Sequence, residues 1–261
     1  LKKWVKNMII DAFKLSGKVA LVTGGNRGLG QGMAIALAQA GADVAVTSRS
    51  GKASETLTTI ESTGQRGASF AADFSNPDVA TGLVTQVVAE FGRLDILVNN
   101  AGTIRRAPAL EYSGEDWDFV LNVNLNSIWA LSQAAARQMV EQGDGGKIVN
   151  IASVLSFQGG ITVPAYTASK HALAGLTKAL ANEWSSLGIN VNAIAPGYMA
   201  TDNTEALRND PTRSRQILER IPVGRWGKPE DLAGVVVFLA SDACNYVHGQ
   251  VLAVDGGWLA R

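Results

Sequence analysis

Val19-Ala20-Leu21-Val22-Thr23-Gly24-Gly25-Asn26-Arg27-Gly28-Leu29-Gly30 is the stretch that decides the fold. Val19–Thr23 is a short apolar run, as expected of a strand buried on both faces. A turn with the spacing G-x-x-x-G-x-G follows, and Leu29–Ala40 has the length and composition of a helix. Strand, glycine turn and helix together let backbone N–H groups and a helix N-terminus meet a pyrophosphate. A glycine turn alone is weak evidence, because a tight turn with no ligand uses the same residues. Its place directly after the first strand raises the ligand reading.

Working outward, further strand candidates are Asp43–Ser48, Ala68–Ala72, Ile96–Asn99, Lys147–Ile151, Asn190–Ile194 and Gln250–Val254. Between them Pro77–Phe91, Asp116–Gln142 and Ala165–Leu187 read as helices, and Ser113 with Asp116 reads as a capping box. Strict alternation implies an α/β chain with a single-domain Rossmann fold. Its core is a doubly wound, parallel, seven-stranded sheet with helices on both faces. Residues 198–224 break the alternation, are polar, and carry Pro211, Pro222 and Gly224, so they are expected to form a mobile lid on a domain spanning 15–261.

The chain has 261 residues, 46% apolar and 18% charged, with zero formal net charge. That is a globular composition with no bias toward nucleic acid or an acidic membrane surface. The single cysteine, Cys244, cannot form an internal disulfide, and two histidines make no metal-ligand cluster of recognisable spacing. The longest apolar run, near Val235 to Ala240, is too short to span a bilayer. Residues 1–7 are basic but precede no apolar stretch of signal length. Residues 1–14 are therefore read as an N-terminal extension, with Met8 as a plausible native start and a cytoplasmic location as the default.

Chemistry enters with Ser153, Tyr166 and Lys170. Tyr-x-x-x-Lys puts both side chains on one helix face. A tyrosine of ordinary pKa, about 10, is a poor base near neutrality. An ammonium beside it favours the phenolate. A serine at the end of the preceding strand can hydrogen-bond the oxygen that gains or loses the proton. This set suits interconversion of an alcohol and a ketone, given a hydride carrier.

The second strand ends in Thr47-Ser48-Arg49-Ser50, without the carboxylate that would hold the 2′-hydroxyl of NAD. Arg27 in the glycine turn and Arg49 would suit a 2′-phosphate. NADP(H) is therefore favoured. The plainer reading, a solvated Arg49 and an Arg27 capping a surface turn, would leave NAD(H) able to bind.

With these residues assembled, the chain resembles the short-chain dehydrogenase/reductases over nearly its whole length. The matching motifs are Thr23-Gly24-x-x-x-Gly28-x-Gly30, Asn99-Asn100-Ala101-Gly102, Asn124, Ser153, Tyr166-x-x-x-Lys170 and Pro196-Gly197. The resemblance implies Tyr166 as acid/base, Ser153 positioning the substrate oxygen, Lys170 lowering the tyrosine pKa and holding the nicotinamide ribose, and Asn124 anchoring a relay water. From the residues alone, Asn124 reads as helix surface. The implied cofactor site comprises Gly24, Asn26, Arg27, Gly28, Leu29, Gly30, Ser48, Arg49, Asp73, Phe74, Asn100, Ala101, Gly102, Tyr166, Lys170, Pro196, Gly197 and Met199, with Asp73 at the adenine. The family is often homotetrameric.

A narrower resemblance rests on Ile104-Arg105-Arg106, Ser156-Phe157-Gln158-Gly159-Gly160, Ala195 to Thr201, Ile221 to Gly227 and Val254 to Arg261. It points to the subgroup of 2-deoxy-D-gluconate 3-dehydrogenases, also called 2-dehydro-3-deoxy-D-gluconate 5-dehydrogenases, and to similar reductases of 4-deoxy-5-keto-uronates in uronate, pectin and alginate breakdown. Arg49 and residues 1–7 depart from that subgroup's pattern. The implied small-molecule substrate is a deoxy-keto sugar acid, met by Arg105, Arg106, Ser153, Gln158, Tyr166 and Tyr198. For the arginines the plainer alternative is a surface ion pair. His171, Trp258 and Arg261 read as packing or interface residues, and Cys244 as a small buried filler. Two other functions stay open: a 3-oxoacyl thioester reductase on the same machinery, and a nucleotide-sensing protein that has lost catalysis.

Overall fold

The structure, a computed structural model, describes residues 8–76 and 78–261. The first seven residues of the expected extension and the expected helix start at Pro77 lie outside the described residues, and the rest of the extension forms a 3-10 turn at Ile9–Phe13.

Seven strands form one parallel sheet: β1 (Val19–Val22), β2 (Asp43–Ser48), β3 (Gly67–Ala71), β4 (Ile96–Asn99), β5 (Gly146–Ile151), β6 (Ile189–Pro196) and β7 (Val251–Val254). Their order is β3-β2-β1-β4-β5-β6-β7, and every pairing is parallel. Successive side chains of a strand face opposite sides. Along β1, Ala20 and Val22 enter one apolar cluster and Val19 and Leu21 the other. The first cluster packs under α1 (Gly28–Gln39), through Met33 and Leu37, and includes Ile60 of α2 (Ser54–Ser62). The second takes Leu83 and Val87 of α3 (Val79–Phe91). Helices therefore cover both faces, which explains why the strands are apolar without alternation.

Three helical expectations need correction. Asp116–Gln142 is not one helix: α4 (Gly114–Leu121) and α5 (Ser127–Gln142) are joined by a π-helical turn, Asn122–Asn126. Ser113 does cap α4, accepting from Asp116 N at 3.1 Å. The long helix α6 (Pro164–Trp184) ends in a tight 3-10 turn at Ser185–Leu187. The expected lid is not one loop. It contains α7 (Glu205–Asn209) and α8 (Pro211–Arg220), with Asp210 capping α8 by accepting from Thr212 N at 2.9 Å. The apolar run near Val235 is a further short helix, α9 (Ala233–Ala240), whose Val236 and Leu239 are buried against the first cluster. No helix among the described residues is long and apolar enough to cross a membrane.

Candidate active site

In an open parallel sheet the crevice forms where the strand order turns back, at the carboxyl ends of the strands. Here that point lies between β1 and β4. Thr23 Oγ1 accepts from Asn100 N and Ala101 N, both at 2.9 Å. Asn100 Nδ2 donates in return to Thr23 O at 2.9 Å. The glycine turn is braced on its other side by Thr47, whose Oγ1 accepts from Gly24 N at 3.0 Å, and by Thr56 of α2, whose Oγ1 donates to Gly25 O at 3.1 Å. A Cβ on Gly30 would stand 2.2 Å from Gly24 O, so only glycine lets α1 start this close to β1.

This turn fits a dinucleotide on two grounds. Gly28 has φ +57°, and a Cβ built on it meets nothing nearer than Thr201 Cγ2 at 3.9 Å, so the turn borders open space. The α1 N-terminus receives no side-chain cap from Arg27, which leaves its first N–H groups for an anion. Asn26 and Leu29 flank the turn half-buried.

At the ribose end Ser48 is buried and gives its hydroxyl to Lys52 O at 3.0 Å, whereas Arg49 is exposed. Asp73 is held below the usual carboxylate range by hydrogen bonding from Ser75, with a smaller pull from the Arg49 charge. Two placements stand out here. Arg27, expected at the 2′-phosphate, reaches the lid, 2.8 Å from Asp202, in a pair more than two-thirds exposed at both ends. Phe74, expected at the cofactor, belongs to the second apolar cluster.

On the other side of the crevice Pro196 is the last residue of β6. A Cβ on Gly197 would stand 2.6 Å from Asp255 Cα, so the chain passes close to the segment after β7. Met199 is buried and packs on Gly227, where a Cβ would clash with its sulfur.

The reacting groups converge at the end of β5. Ser153 follows that strand. Lys170, 4% exposed, donates to Ile151 O at 2.7 Å. Tyr166 is half-buried, with the Lys170 ammonium 5.5 Å from its ring centroid. Burial pushes the Tyr166 pKa up, against weaker pulls downward from a Ser153 hydrogen bond and the Arg106 charge. Burial alone brings Lys170 down to about 8. The lowering influences that act on Tyr166 are the Ser153 hydroxyl and the Arg106 charge. Lys170 is engaged by a backbone carbonyl.

Asn124 is not on a helix surface. The π turn rotates it inward, where it is fully buried. Its Oδ1 accepts from Thr103 N at 2.8 Å, and its Nδ2 donates to Thr103 O at 2.9 Å and Ser169 Oγ at 3.2 Å. It ties the segment after Gly102 to α6, three residues from Tyr166. Inserting one residue in a helix is a common device at functional sites.

The substrate candidates separate. Arg105 pairs with Asp116 at 3.2 Å and stacks on Phe119 at 4.5 Å, which directs it to α4. Arg106 is the arginine whose charge reaches Tyr166. The next residue, Ala107, donates its N–H to Thr162 O at 3.1 Å. Thr162, a β-branched residue at φ +63°, marks strained backbone in the loop after Ser153. Gln158, in that loop, accepts from Arg220 of α8 at 3.3 Å. Tyr198 packs on Trp226 and Trp258, ring centroids 5.7 and 4.5 Å away. Trp258, expected at an interface, is buried under the lid, and His171 is exposed. Sequence reasoning missed Thr47, Thr56, Ser169 and Arg220. Each acts through a partner remote in the chain, so no local pattern marks it.

This fold and site define an NAD(P)-dependent oxidoreductase, and the chain belongs to the short-chain dehydrogenase/reductase family. Residues 24–259 match the family described as enoyl-(acyl carrier protein) reductase. The chain is 58% identical, over 97% of its length and 100% of the relative's, to the 2-dehydro-3-deoxy-D-gluconate 5-dehydrogenase of Dickeya dadantii strain 3937. Among solved structures it is similar to a provisionally named 2-deoxy-D-gluconate 3-dehydrogenase of Agrobacterium tumefaciens with bound NADP. The TM-score there is 0.91 at 55% identity, covering 96% of this chain and 100% of that one. It is also similar to a gluconate 5-dehydrogenase of Burkholderia cenocepacia J2315 in complex with NADP and tartrate, with a TM-score of 0.93 at 38% identity, covering 97% and 100%. Sugar-acid dehydrogenases are thus its near relatives.

Proposed function

We propose that this chain is an NADP(H)-preferring dehydrogenase of a deoxy-keto sugar acid, interconverting 2-dehydro-3-deoxy-D-gluconate and its 5-keto product. The observation that carries the reading is Tyr166: a half-buried phenol on the first turn of α6, acted on by the Ser153 hydroxyl and the Arg106 guanidinium. The first pairs a proton-transfer group with an orienting hydroxyl. The second adds a positive charge that acts on the phenol, which favours its ionised form. Relatives named for this substrate, and neighbours crystallised with NADP, support the choice.

When bound, the nicotinamide dinucleotide supplies or accepts hydride at the substrate carbon. Gly24, Asn26, Gly28, Leu29 and Gly30 would hold its pyrophosphate, and Arg27 and Arg49 its 2′-phosphate. Asp73 would meet the adenine, and Asn100 to Gly102, Pro196, Gly197 and Met199 would line the rest. Because the Arg27–Asp202 pair is exposed, it is weak enough for a phosphate to displace it.

Tyr166 moves the proton at the substrate oxygen. Burial keeps it protonated at neutral pH, the form required to complete a reduction, while Ser153 and Arg106 ease its ionisation for the reverse direction. Ser153 holds the same oxygen in line. Lys170, anchored on Ile151 O, keeps donors available at the floor of the site. Asn124 fixes the Thr103 segment, and so the arginine pair that follows, against α6. The lid excludes water. On this reading residues 15–261 are one catalytic domain with 198–224 as its lid, working in the cytoplasm as a homotetramer.

Steady-state assays with NADP and NAD against 2-dehydro-3-deoxy-D-gluconate, 2-deoxy-D-gluconate, a 4-deoxy-5-keto-uronate and a 3-oxoacyl thioester test the proposal. The expected outcome is NADP-linked turnover of the first substrate with the highest kcat/KM. A preference for the thioester, or no turnover of any of them, overturns it.

A further inference from the structure

Helix α8 of the lid ends on an arginine that the proton and hydride transfers do not use. Ile217 of α8 and Ile221 just beyond it are buried with Val154 and Trp258 in one apolar cluster. Val154 adjoins Ser153, so this cluster fixes the end of α8 relative to the reacting groups. Arg220, the last residue of α8, lays its guanidinium on the Trp258 indole, Cζ 3.9 Å from the ring centroid. Its side chain donates to Gln158 Oε1 at 3.3 Å. Its carbonyl accepts from Arg261 Nε at 3.2 Å, which fastens the helix end to the C-terminus.

Stacking uses the faces of a guanidinium and leaves the donors on its edges. Gln158 takes one of them. Among the described residues Arg220 has no carboxylate within ion-pair distance, whereas Arg27, Arg93, Arg105 and Arg225 each do. Trp258 beneath it is 4% exposed, so the ring is a fixed platform, and its buried Nε1 has no hydrogen-bond partner. Buried donors are ordinarily paired. A guanidinium held on this ring, with edge donors free and no carboxylate beside it, can receive an anionic acceptor.

We propose that Arg220 determines specificity for the acidic end of the substrate, receiving its carboxylate on the free guanidinium edge with Trp258 as the platform and Gln158 fixing the angle. This rests on the sugar-acid reading above and deepens it. In an oxidation at C5 the carboxylate lies several bonds from the reacting carbon. A cation acting on Tyr166 itself, as Arg106 does, serves the reacting end, and a second cation has to serve the far end. Arg220 stands across the Ser153 loop, on the element that closes the site, so an acidic substrate would also hold the lid down.

The test compares the wild-type enzyme with Arg220→Gln, Arg220→Lys and, as a control on the same helix, Arg215→Gln. The substrates are 2-dehydro-3-deoxy-D-gluconate and its uncharged methyl ester at saturating NADP. Arg220→Gln is expected to raise KM for the acid about tenfold or more, with a smaller change in kcat, and to lower the acid-over-ester ratio of kcat/KM by about the same factor. Arg220→Lys should recover part of that ratio, and Arg215→Gln should leave it at the wild-type value. A ratio within about twofold of wild type in Arg220→Gln, or equal losses on acid and ester as a merely structural lid contact would give, overturns the inference while leaving the sugar-acid reading intact. A wild-type enzyme that turns over no carboxylate substrate overturns both.

Discussion

The two ends of β5 each bury a lysine, and the two are treated differently. At the amino end Lys147, 9% exposed, donates to Asn190 Oδ1 at 2.8 Å and Asn245 Oδ1 at 2.5 Å. Asn190 in turn spends its amide on the carbonyls of Cys244 and Val247 at 3.1 and 3.0 Å. At the carboxyl end Lys170 donates to the single carbonyl of Ile151. Neither has a carboxylate within ion-pair distance among the described residues. Desolvation lowers both pKa values. A buried polar group is tolerable when its hydrogen bonds are met. Lys147 meets that condition within the protein. Lys170 leaves donors over, beside a tyrosine and an open crevice. The difference separates a structural network from a site prepared for a ligand, and it predicts that damage at one end costs activity and at the other stability.

Tyr166→Phe should break the carboxyl end most severely. The ring and its packing remain, and only the proton-transfer group is lost, so kcat should fall about a thousandfold. The thermal midpoint should stay within about one degree of wild type. A variant with more than a tenth of wild-type turnover would mean that another group moves the proton.

Asn190→Leu is the matching experiment at the amino end. It takes one of two acceptors from the Lys147 ammonium, which keeps Asn245, and one donor each from the carbonyls of Cys244 and Val247. Breaking such a network by removing one partner costs about 3 kcal/mol. Urea denaturation should record that loss, while kcat/KM per folded molecule stays within about twofold of wild type. A large activity loss with unchanged stability would erase the distinction between the two ends.

The spare donors of Lys170 also make its charge a burden to the folded chain. Its pKa drops to about 8 on folding, from an ordinary 10.5. At pH 8 and below the folded state carries most of the cost of burying the charge. Between pH 8 and 10.5 the unfolded chain binds more protons than the folded one, so stability rises with pH. The wild-type enzyme without cofactor should therefore gain about 2 kcal/mol from pH 8 to pH 10 relative to Lys170→Met. Lys147 and Cys244 are present in both proteins and cancel. Tyr166, with its pKa raised, acts with the opposite sign only above pH 10. Parallel stability curves for the two proteins would show that Lys170 is neutralised by a partner.

How much of this was readable in the sequence follows the same physics. The five inner strands were legible because burial on both faces leaves little but apolar residues in them, and the half-buried edge strands β3 and β7 because their short apolar runs fit the alternation. The glycine turn and the Ser153, Tyr166, Lys170 spacing were legible because each is a local pattern. Asn124 was not, since a π turn moves it from surface to core without changing its composition. The choice between Arg105 and Arg106 was invisible too, because it depends on Asp116 and Phe119 taking the first. The lid helices were hidden by their polarity: α8 buries only Ile217 and draws its other support from Trp258 and Arg261, about forty residues on.

Arg49 tests whether the comparison extends to the rim of the site. It stands at the carboxyl end of β2, where spare donors mark ligand contacts, but unlike Lys170 it is exposed. Solvent screens an exposed charge, so its contribution should be the smallest of the set. Arg49→Asp should lower the NADP-over-NAD ratio of kcat/KM by about tenfold, equivalent to 1.4 kcal/mol. The change should appear in the KM for NADP and leave kcat nearly untouched, because the residue lies far from Tyr166 in the crevice. Raising ionic strength should shrink the wild-type preference in the same direction. If the ratio does not move, the 2′-phosphate is held elsewhere, and Arg27, released from Asp202, becomes the residue to change next.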